Sequence, residues 1–160
     1  TGVIMNNEMD DFSISPGTPN AFGLIGNEAN AVAPGKRPLS SMSPTIVLKG
    51  HKPILSVGAA GGPTIISQTL LTLIHTLDHN LSIREALMKP RFHHQWQPNQ
   101  IRIESTAGQR IIDSLKQMGH QIYIGGYGGA TQAIGNTGKG LEAVHDPRLR
   151  GKAIAFPILK

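Results

Sequence analysis

Residues Thr45–Asp78 read TIVLKGHKPILSVGAAGGPTIISQTLLTLIHTLD, and this stretch decides the fold expected for the chain. Thr45–Lys49 and Pro53–Val57 are apolar and β-branched runs separated by a turn at Gly50–Lys52, which predicts a β-hairpin. From Thr64 to Asp78, apolar residues recur at helical spacing, which predicts a helix with one buried face. The residues of that face are Ile65, Ile66, Leu70, Leu73, Ile74 and Leu77.

The remaining elements predict an α+β protein. Ser82 and Glu85 form a capping-box pattern that opens a second helix, which Pro90 stops. Thr106 and Gln109 repeat the pattern at the start of a third helix. Helices bracketed by antiparallel strands favour α+β over a doubly wound sheet, and 160 residues suffice for a single domain. Further strands are predicted at Ile101–Glu104, Gln121–Ile124, Thr131–Ile134 and Leu141–Val144.

Composition argues against several classes of function. The chain has no cysteine, so it offers neither a disulfide nor a thiolate zinc site. Its net charge of +5 comes from scattered Lys and Arg, with one Trp, two Tyr and four Phe for stacking, so we expect no nucleic-acid partner. Ile65–Leu77 is interrupted by polar residues, so no membrane span is expected. His93 and His94 are adjacent in an extended segment and point to opposite faces, so we predict no metal site, and we expect no cofactor.

The segment VIMNNEMDDFS, Val3–Ser13, concentrates carboxylates in an otherwise basic chain. Glu8, Asp10 and Asp11 lie within four residues of one another. Glu8 and Asp11 can each accept charge-assisted hydrogen bonds from an ammonium group. The same composition is typical of a solvated turn. Taken alone, the segment therefore leaves an ammonium site and a loop cap open.

Adjacent hydroxyls occur in RPLSSMSPT, Arg37–Thr45, at the end of a proline-rich stretch, Ser15–Pro44, that predicts a long irregular loop. Loops of that length are usually functional. Neither Ser40 nor Ser41 lies in a G-x-S-x-G or S-x-x-K pattern, so we expect neither to be an activated nucleophile. Their hydroxyls can donate to a carboxylate without activation. A serine pair alone is more often part of a turn.

The segment GAAGGPT, Gly58–Thr64, places glycines between a strand and a helix. Backbone N–H groups at a helix N-terminus stabilise anions, so Gly61 and Gly62 are candidates for an oxyanion hole. The spacing matches neither of the common phosphate-loop patterns. Close packing of the strand against the helix explains one glycine equally well.

In this order, the three segments resemble the small subunit of the γ-glutamyltranspeptidases, which cleave glutathione. The resemblance extends to PRFHHQW at Pro90–Trp96, to Thr131-Gln132 and to Asp146-Pro147-Arg148. It implies the four-layer αββα sandwich of the N-terminal nucleophile hydrolases, an α+β fold of which this chain would form part. It also implies transfer of a γ-glutamyl group to water, an amino acid or a peptide through an acyl-threonine. Glutathione and other γ-glutamyl compounds would be the substrates, and no cofactor is implied.

The same resemblance implies a role for each candidate residue. The α-amino group of the γ-glutamyl moiety would be bound by Glu8 and Asp11. The α-carboxylate would be bound by Ser40 and Ser41. The oxyanion of the tetrahedral intermediate would be stabilised by Gly61 and Gly62.

Other parts implied by the family are absent from residues 1–160. The family's nucleophile begins a T-T-H-[YF]-S-like strand, whereas Gly2–Ile4 match the residues just before the acidic segment, so we predict that Thr1 is not the nucleophile. We expect residues 1–160 to be a single domain, the C-terminal part of a small subunit, inactive alone. Its partner would be the large subunit of the same self-cleaving precursor. Family members are usually exported, which implies a periplasmic or extracellular location.

Three alternatives remain open at this point, one of which is a related capsule-anchoring transpeptidase that acts on polyglutamate through a similar donor site. Cephalosporin and glutaryl acylases share the architecture but accept a side chain without an α-amino group. The presence of both Glu8 and Asp11 argues against them. From a different class, the chain would be a noncatalytic domain that binds γ-glutamyl compounds, and a functional upstream threonine would exclude that.

Overall fold

The computed structural model describes residues 2–126, 128–137 and 140–154, which form two β-sheets. The larger sheet is antiparallel with strand order β1-β2-β6-β7, and the smaller has the order β3-β4-β5. In the smaller sheet, the first pair is antiparallel and the second is parallel. The strands are β1 Thr45–Lys49, β2 Lys52–Ala60, β3 Phe92–His93, β4 Ile101–Ile103, β5 Ile122–Ile124, β6 Ala130–Asn136 and β7 Leu141–Val144.

The described residues also form three α-helices. They are α1 Thr64–Leu73, which continues as a π-helical turn at Ile74–Asp78, α2 Ile83–Met88 and α3 Gln109–Gln117. Helices α1 and α2 contact the larger sheet, and α3 contacts the smaller. The predicted α+β class is confirmed. None of the helices in the described ranges is long and apolar enough to cross a membrane.

The predicted hairpin is confirmed, but its second strand is longer than predicted. β1 pairs with β2 in antiparallel register, with Thr45 opposite Val57. β2 continues to Ala60 because β6 pairs with it from Leu55 to that residue. Gly58, Ala59 and Ala60 therefore belong to the part of β2 that pairs with β6 and not with β1.

The prediction of which face of α1 is buried is wrong in part. Ile65 is buried, but Ile66 and Leu70 are 55% and 53% exposed. The buried face also carries four polar side chains, and three of them, Thr64, Gln68 and Thr72, are hydrogen-bonded. Burial of polar groups is tolerated when hydrogen bonds replace those made to water. Helical spacing alone does not reveal that the apolar pair faces a cavity.

The two predicted capping boxes have different outcomes. At α2 the box is present: Ser82 Oγ accepts from Glu85 N at 3.2 Å, and the Glu85 carboxylate accepts from Ser82 N at 2.9 Å. At α3 the prediction is wrong. Residues Ser105–Ala107 form a 3₁₀ turn instead, and Gly108, with φ of +85°, precedes the helix. Such a φ favours glycine, so the backbone rather than a side-chain cap redirects the chain there.

The larger sheet has one covered face and one open face. Its covered face packs a core against α1 and α2, formed by Leu55, Val57, Ile83, Leu87, Ala133 and Val144. Side chains alternate along strands, so the intervening residues lie on the other face. That face exposes the apolar residues Ile46, Leu48, Ile134 and Leu141. Among the described residues, the larger sheet thus has a helical layer on one face and no layer on the other.

A buried ion network joins the two sheets. The guanidinium of Arg91, just before β3, contacts Asp146 at 2.7 Å, and the Asp146 side chain is fully buried. The same carboxylate accepts from the backbone N–H of Thr131 at 2.8 Å. Arg148 contacts Glu104, after β4, through two hydrogen bonds of 2.6 and 2.7 Å. The network therefore connects β6, the chain after β7, and the one end of the β3–β4 pair at which Arg91 and Glu104 are neighbours.

The network sets the ionisation of its members. Burial pushes the pKa of Asp146 upward, but the N–H donors of Arg148 and Thr131 and the charge of Arg91 outweigh it, so the pKa lies below its ordinary value. The pKa of Glu104 is lowered in the same way, because bonds from Arg148 and from the Arg91 backbone outweigh its burial. The hydrogen bond from Arg148 to Glu104 raises the pKa of the Arg148 guanidinium. All three groups are held in their charged forms.

We predict that Asp146→Asn lowers the free energy of unfolding at neutral pH by about 3 to 5 kcal/mol, because it removes the buried ion-pair partner of Arg91. The folded-state pKa of Asp146 lies below its ordinary value of 3.8. The stabilisation is therefore complete above that pH and is lost as pH falls through the folded-state pKa. Denaturant unfolding across this range checks the prediction. Asp113→Asn, on the exposed side of α3, is the control. A difference between Asp146→Asn and the parent that stays constant at acid pH would contradict it.

Candidate active site

A cavity of about 710 Å³ lies between the amino-terminal segments and helix α1. Asp11, Ser40 and Ser41 all line its wall, although the acid and the serines are far apart in the sequence. Ile66 and Leu70, the exposed apolar residues of α1, line it as well. The cavity therefore combines an acid, two hydroxyls and an apolar wall.

The side chain of Asn30 fixes the spacing between the acid and the serines. Its Nδ2 donates to the carbonyl of Asp11 at 2.7 Å, and its Oδ1 accepts from Leu39 N at 3.0 Å. Its backbone carbonyl accepts from Ser13 N at 2.9 Å. Asn30 is buried, so these bonds are shielded from water. Sequence reasoning missed this residue because nothing in its local sequence indicates which segments it joins.

The acidic residues lie on a 3₁₀ turn at Glu8–Asp11. Asp11 is partly buried and lines the cavity. Glu8 is also partly buried but is not among the lining residues, so the structure does not bring it to the same wall. Asp10, to which no role was given, lines the cavity, and its Oδ2 is buried with no hydrogen-bond partner among the described residues. A buried carboxylate oxygen of that kind is a candidate acceptor for a bound donor group.

The serine hydroxyls are available to a ligand. Ser40 is exposed, and its Oγ accepts from Met42 N at 3.1 Å, which leaves its own O–H able to donate. Ser41 is partly buried, and its carbonyl accepts from Ser43 Oγ at 3.1 Å. Both hydroxyls can therefore donate to an anionic group in the cavity.

The turn at Gly61-Gly62 requires glycine at both positions. Their φ angles are +136° and +55°, which L side chains rarely adopt. A Cβ on Gly61 would lie 2.6 Å from the carbonyl oxygen of Gly128, and a Cβ on Gly62 would lie 2.6 Å from the ring of Phe22. Both carbonyls accept bonds from the start of α1, and neither N–H is bonded within the described part of the chain. Two free N–H groups at a helix N-terminus can stabilise an oxyanion.

Gln68 ties this turn to the ion network. Its Nε2 donates to the carbonyl of Ala60 and to Thr64 Oγ1, both at 3.0 Å. Its Oε1 accepts from the guanidinium of Arg91 at 3.0 Å and from Thr131 Oγ1 at 3.2 Å. Gln68 is fully buried. The position of the glycine turn therefore depends on a network that extends across the sheet, which sequence reasoning did not detect.

A second cavity, of about 520 Å³, adjoins the first at the glycine turn. Gly61 lines only the second cavity, whereas Pro63, His93 and Gln95 line both. Burial lowers the pKa of His93, although a hydrogen bond from its ring to Gln95 at 3.1 Å opposes this. The neutral imidazole also contacts Ser67 Oγ at 2.9 Å. His93 thus forms part of the partition between the cavities.

The histidine pair does not form a joint site. His93 contacts Ser67 and Gln95, whereas His94 contacts Asn99 at 3.1 Å. Within residues 2–126, 128–137 and 140–154, no three His, Asp or Glu side chains converge as metal ligands would. Thr1, which we predict is not the nucleophile, lies outside the described residues.

Comparison with known proteins identifies relatives along nearly the whole chain. The family model for gamma-glutamyltranspeptidase matches residues 1–156. The glutathione hydrolase proenzyme of Escherichia coli strain K12 is 45% identical over 150 residues, which are 92% of this chain and 26% of that protein. The chain also spans only 21% and 28% of two Pseudomonas proenzymes that are 50% and 43% identical to it.

Solved structures agree with the sequence comparison. The γ-glutamyltranspeptidase of Pseudomonas nitroreducens in complex with L-DON is 40% identical, with a TM-score of 0.89 over 98% of this chain and 83% of that one. A mutant of the Helicobacter pylori enzyme is 47% identical, with a TM-score of 0.86 over 93% and 83%. The cephalosporin acylase of Bacillus halodurans shares the fold at 28% identity, with a TM-score of 0.81 over 98% of this chain and 28% of that one. The predicted fold, part of the four-layer sandwich of the N-terminal nucleophile hydrolases, is confirmed. The chain belongs to the γ-glutamyltranspeptidase family.

Proposed function

We propose that this chain forms the γ-glutamyl-binding half of an enzyme that transfers a γ-glutamyl group to water, an amino acid or a peptide. Glutathione and other γ-glutamyl compounds are its donors. The observation that carries the proposal is the shared cavity of Asp11, Ser40 and Ser41, which offers a carboxylate for an ammonium group and two hydroxyls for a carboxylate. These are the two ionic groups at the α-carbon of a γ-glutamyl moiety.

Asp11 binds the α-ammonium group through charge-assisted hydrogen bonds, while Ser40 and Ser41 bind the α-carboxylate. Asp10 is a further candidate on the same wall, because its buried Oδ2 needs a donor. Glu8 reaches the α-ammonium group only if its side chain turns towards the cavity when substrate binds. The apolar wall at Ile66 and Leu70 excludes water from one side of these contacts.

The scissile γ-carbonyl lies at the glycine turn, where the two cavities adjoin. The N–H groups of Gly61 and Gly62 stabilise the oxyanion of the tetrahedral intermediate. In this family, the acyl group is carried by a threonine whose own α-amine acts as the base. We propose that this threonine begins a T-T-H-[YF]-S-like strand that is not among residues 1–160.

The open face of the larger sheet supports a partner, the large subunit of the same precursor. Ile46 is 66% exposed there, and three further large apolar residues accompany it on this face. A contiguous exposed apolar surface of this kind marks an interaction site. In a four-layer sandwich, a second sheet covers it, so we propose that the partner contributes that sheet.

Two other functions compete with this proposal. An acylase for side chains without an amino group has no use for Asp11 in the cavity wall, and the Bacillus halodurans acylase is less similar than the transpeptidases. A noncatalytic module would bind γ-glutamyl compounds in the same cavity. The free N–H groups of the glycine turn favour catalysis, because a binding module has no oxyanion to stabilise.

We expect the full-length product of the gene that encodes this chain to release p-nitroaniline from γ-glutamyl-p-nitroanilide. Glycylglycine should accelerate the release, because an amine competes with water for the acyl-enzyme. The 160-residue chain alone should show no turnover. The absence of turnover from a correctly processed protein would favour a binding module. Turnover by the isolated chain that is abolished by Thr1→Ala would place the nucleophile at Thr1.

In the same full-length protein, we expect Asp11→Asn to lower kcat/KM for γ-glutamyl-p-nitroanilide roughly 10- to 100-fold, because one charge-assisted bond to the ammonium group is lost. Glutaryl-p-nitroanilide lacks that ammonium group, so its slower hydrolysis should change far less. Asp78→Asn, at an exposed position, is the control. An equal loss with both substrates would show that Asp11 does not recognise the ammonium group.

We expect Ile134→Asp, in the open sheet face, to weaken association of the two processed subunits, because it buries a charge in an apolar interface. Size-exclusion chromatography and subunit co-purification measure this. Ile111→Asp, on α3, introduces the same charge at another exposed isoleucine and should leave association unchanged. The proposed docking face would be wrong if both variants behaved alike.

A further inference from the structure

The second cavity has the opposite charge character from the first. Asp10 and Asp11 line the first cavity, and no Lys or Arg is among the described residues that line it. Arg102 lines the second, and no Asp or Glu is among the described residues that line it. A molecule that spans the glycine turn therefore meets carboxylates on one side and a guanidinium on the other.

Arg102 lies on β4 of the smaller sheet and lines this cavity. Ile101 and Ile103, on either side of it in β4, pack against Ile112 of α3. Because side chains alternate along a strand, Arg102 lies on the opposite face. Its neighbours across the sheet are His93 and Tyr123, and both line the same cavity. The cavity wall is thus a row of three side chains on rigid strands.

The Arg102 guanidinium is partly buried and lacks a counter-ion among the described residues. Each described salt bridge uses another arginine: Arg84, Arg91 or Arg148. Its guanidinium carbon lies 5.3 Å from the centre of the Tyr123 ring, which orients the group without neutralising it. A planar fork of N–H donors in a cavity suits a carboxylate, which it can bind through two parallel hydrogen bonds.

We propose that the second cavity is the subsite for the acceptor and that Arg102 binds the carboxylate of an acceptor amino acid or dipeptide. The inference rests on the proposed γ-glutamyl transfer and adds the side of the glycine turn on which the acceptor lies. The donor's ionic groups are already matched in the first cavity. The carboxylate of the acceptor is the remaining anionic group, and Arg102 is the cation that faces it.

In this arrangement, the neutral amine of the acceptor attacks the carbonyl of the γ-glutamyl ester from the second cavity. The new amide C–N bond forms, the ester C–O bond breaks, and the proton of the amine passes to the threonine oxygen. Gly61, which lines the second cavity, lies at the point of attack. Arg102 acts by binding the acceptor and takes no part in the proton transfer.

The test compares two acceptors that differ only in charge, using the full-length enzyme with γ-glutamyl-p-nitroanilide as donor. Glycylglycine carries a carboxylate, and glycylglycinamide carries a neutral amide in its place. In the parent enzyme, kcat/KM for glycylglycine should exceed that for the amide by at least about tenfold, because a charge-assisted hydrogen bond usually strengthens binding by that factor. Arg102→Gln should abolish most of this preference, and Arg102→Lys should retain part of it. Arg84→Gln, at an exposed arginine paired with Glu142, is the matched control and should keep the full preference.

The outcomes separate this inference from the proposed function. A parent enzyme that uses both acceptors equally well would overturn the inference, and so would an Arg102→Gln enzyme that keeps the parent's preference. Either result would leave γ-glutamyl transfer intact. A parent protein with no turnover on the donor would overturn both. Each acceptor rate is divided by the hydrolysis rate of the same variant, so a general loss of active enzyme does not imitate a loss of preference.

Discussion

The buried contact between Arg91 and Asp146 is the interaction on which the arrangement of the site depends. Asp146 follows the last strand of the larger sheet, and Arg91 precedes the first strand of the smaller one. Gln68 extends the contact to α1 and to the strand end at Ala60, which leads directly into the glycine turn. A buried charge without its partner is costly, so these segments have few alternative positions. The glycine turn is therefore held in one position relative to both sheets.

Asn30 holds together the segments that line the first cavity, as Gln68 holds the glycine turn. The segments that carry Asp11 and Ser40 have little regular structure, so no strand or helix sets their separation. The amide of Asn30 bonds to both of these segments. An amide that both donates and accepts can join two backbone segments in one geometry. The long loop thus gains a defined shape although it holds only a short 3₁₀ helix, Glu28–Asn30.

The cavities on the two sides of the glycine turn differ in charge, and this difference favours one orientation of a substrate. Carboxylates lie on the side of Asp11, and the guanidinium of Arg102 lies on the other. Opposite charges in adjoining cavities orient a substrate that carries both kinds of group, because a reversed molecule would face like charges. His93, whose pKa is lowered by its burial, lies between the two sides.

The sequence by itself determined the features whose causes are local. Strand β7 spans the predicted residues, and the capping box at Ser82 forms as predicted, because alternation and capping depend on a few neighbouring residues. The resemblance identified the family and grouped the acid, the serines and the glycines before any geometry was known. Tertiary structure decided which face of α1 is buried, where α3 begins, and that Asp11 but not Glu8 lines the cavity. These outcomes depend on contacts such as those of Asn30 and Gln68, whose partners are distant in the chain and leave no local pattern.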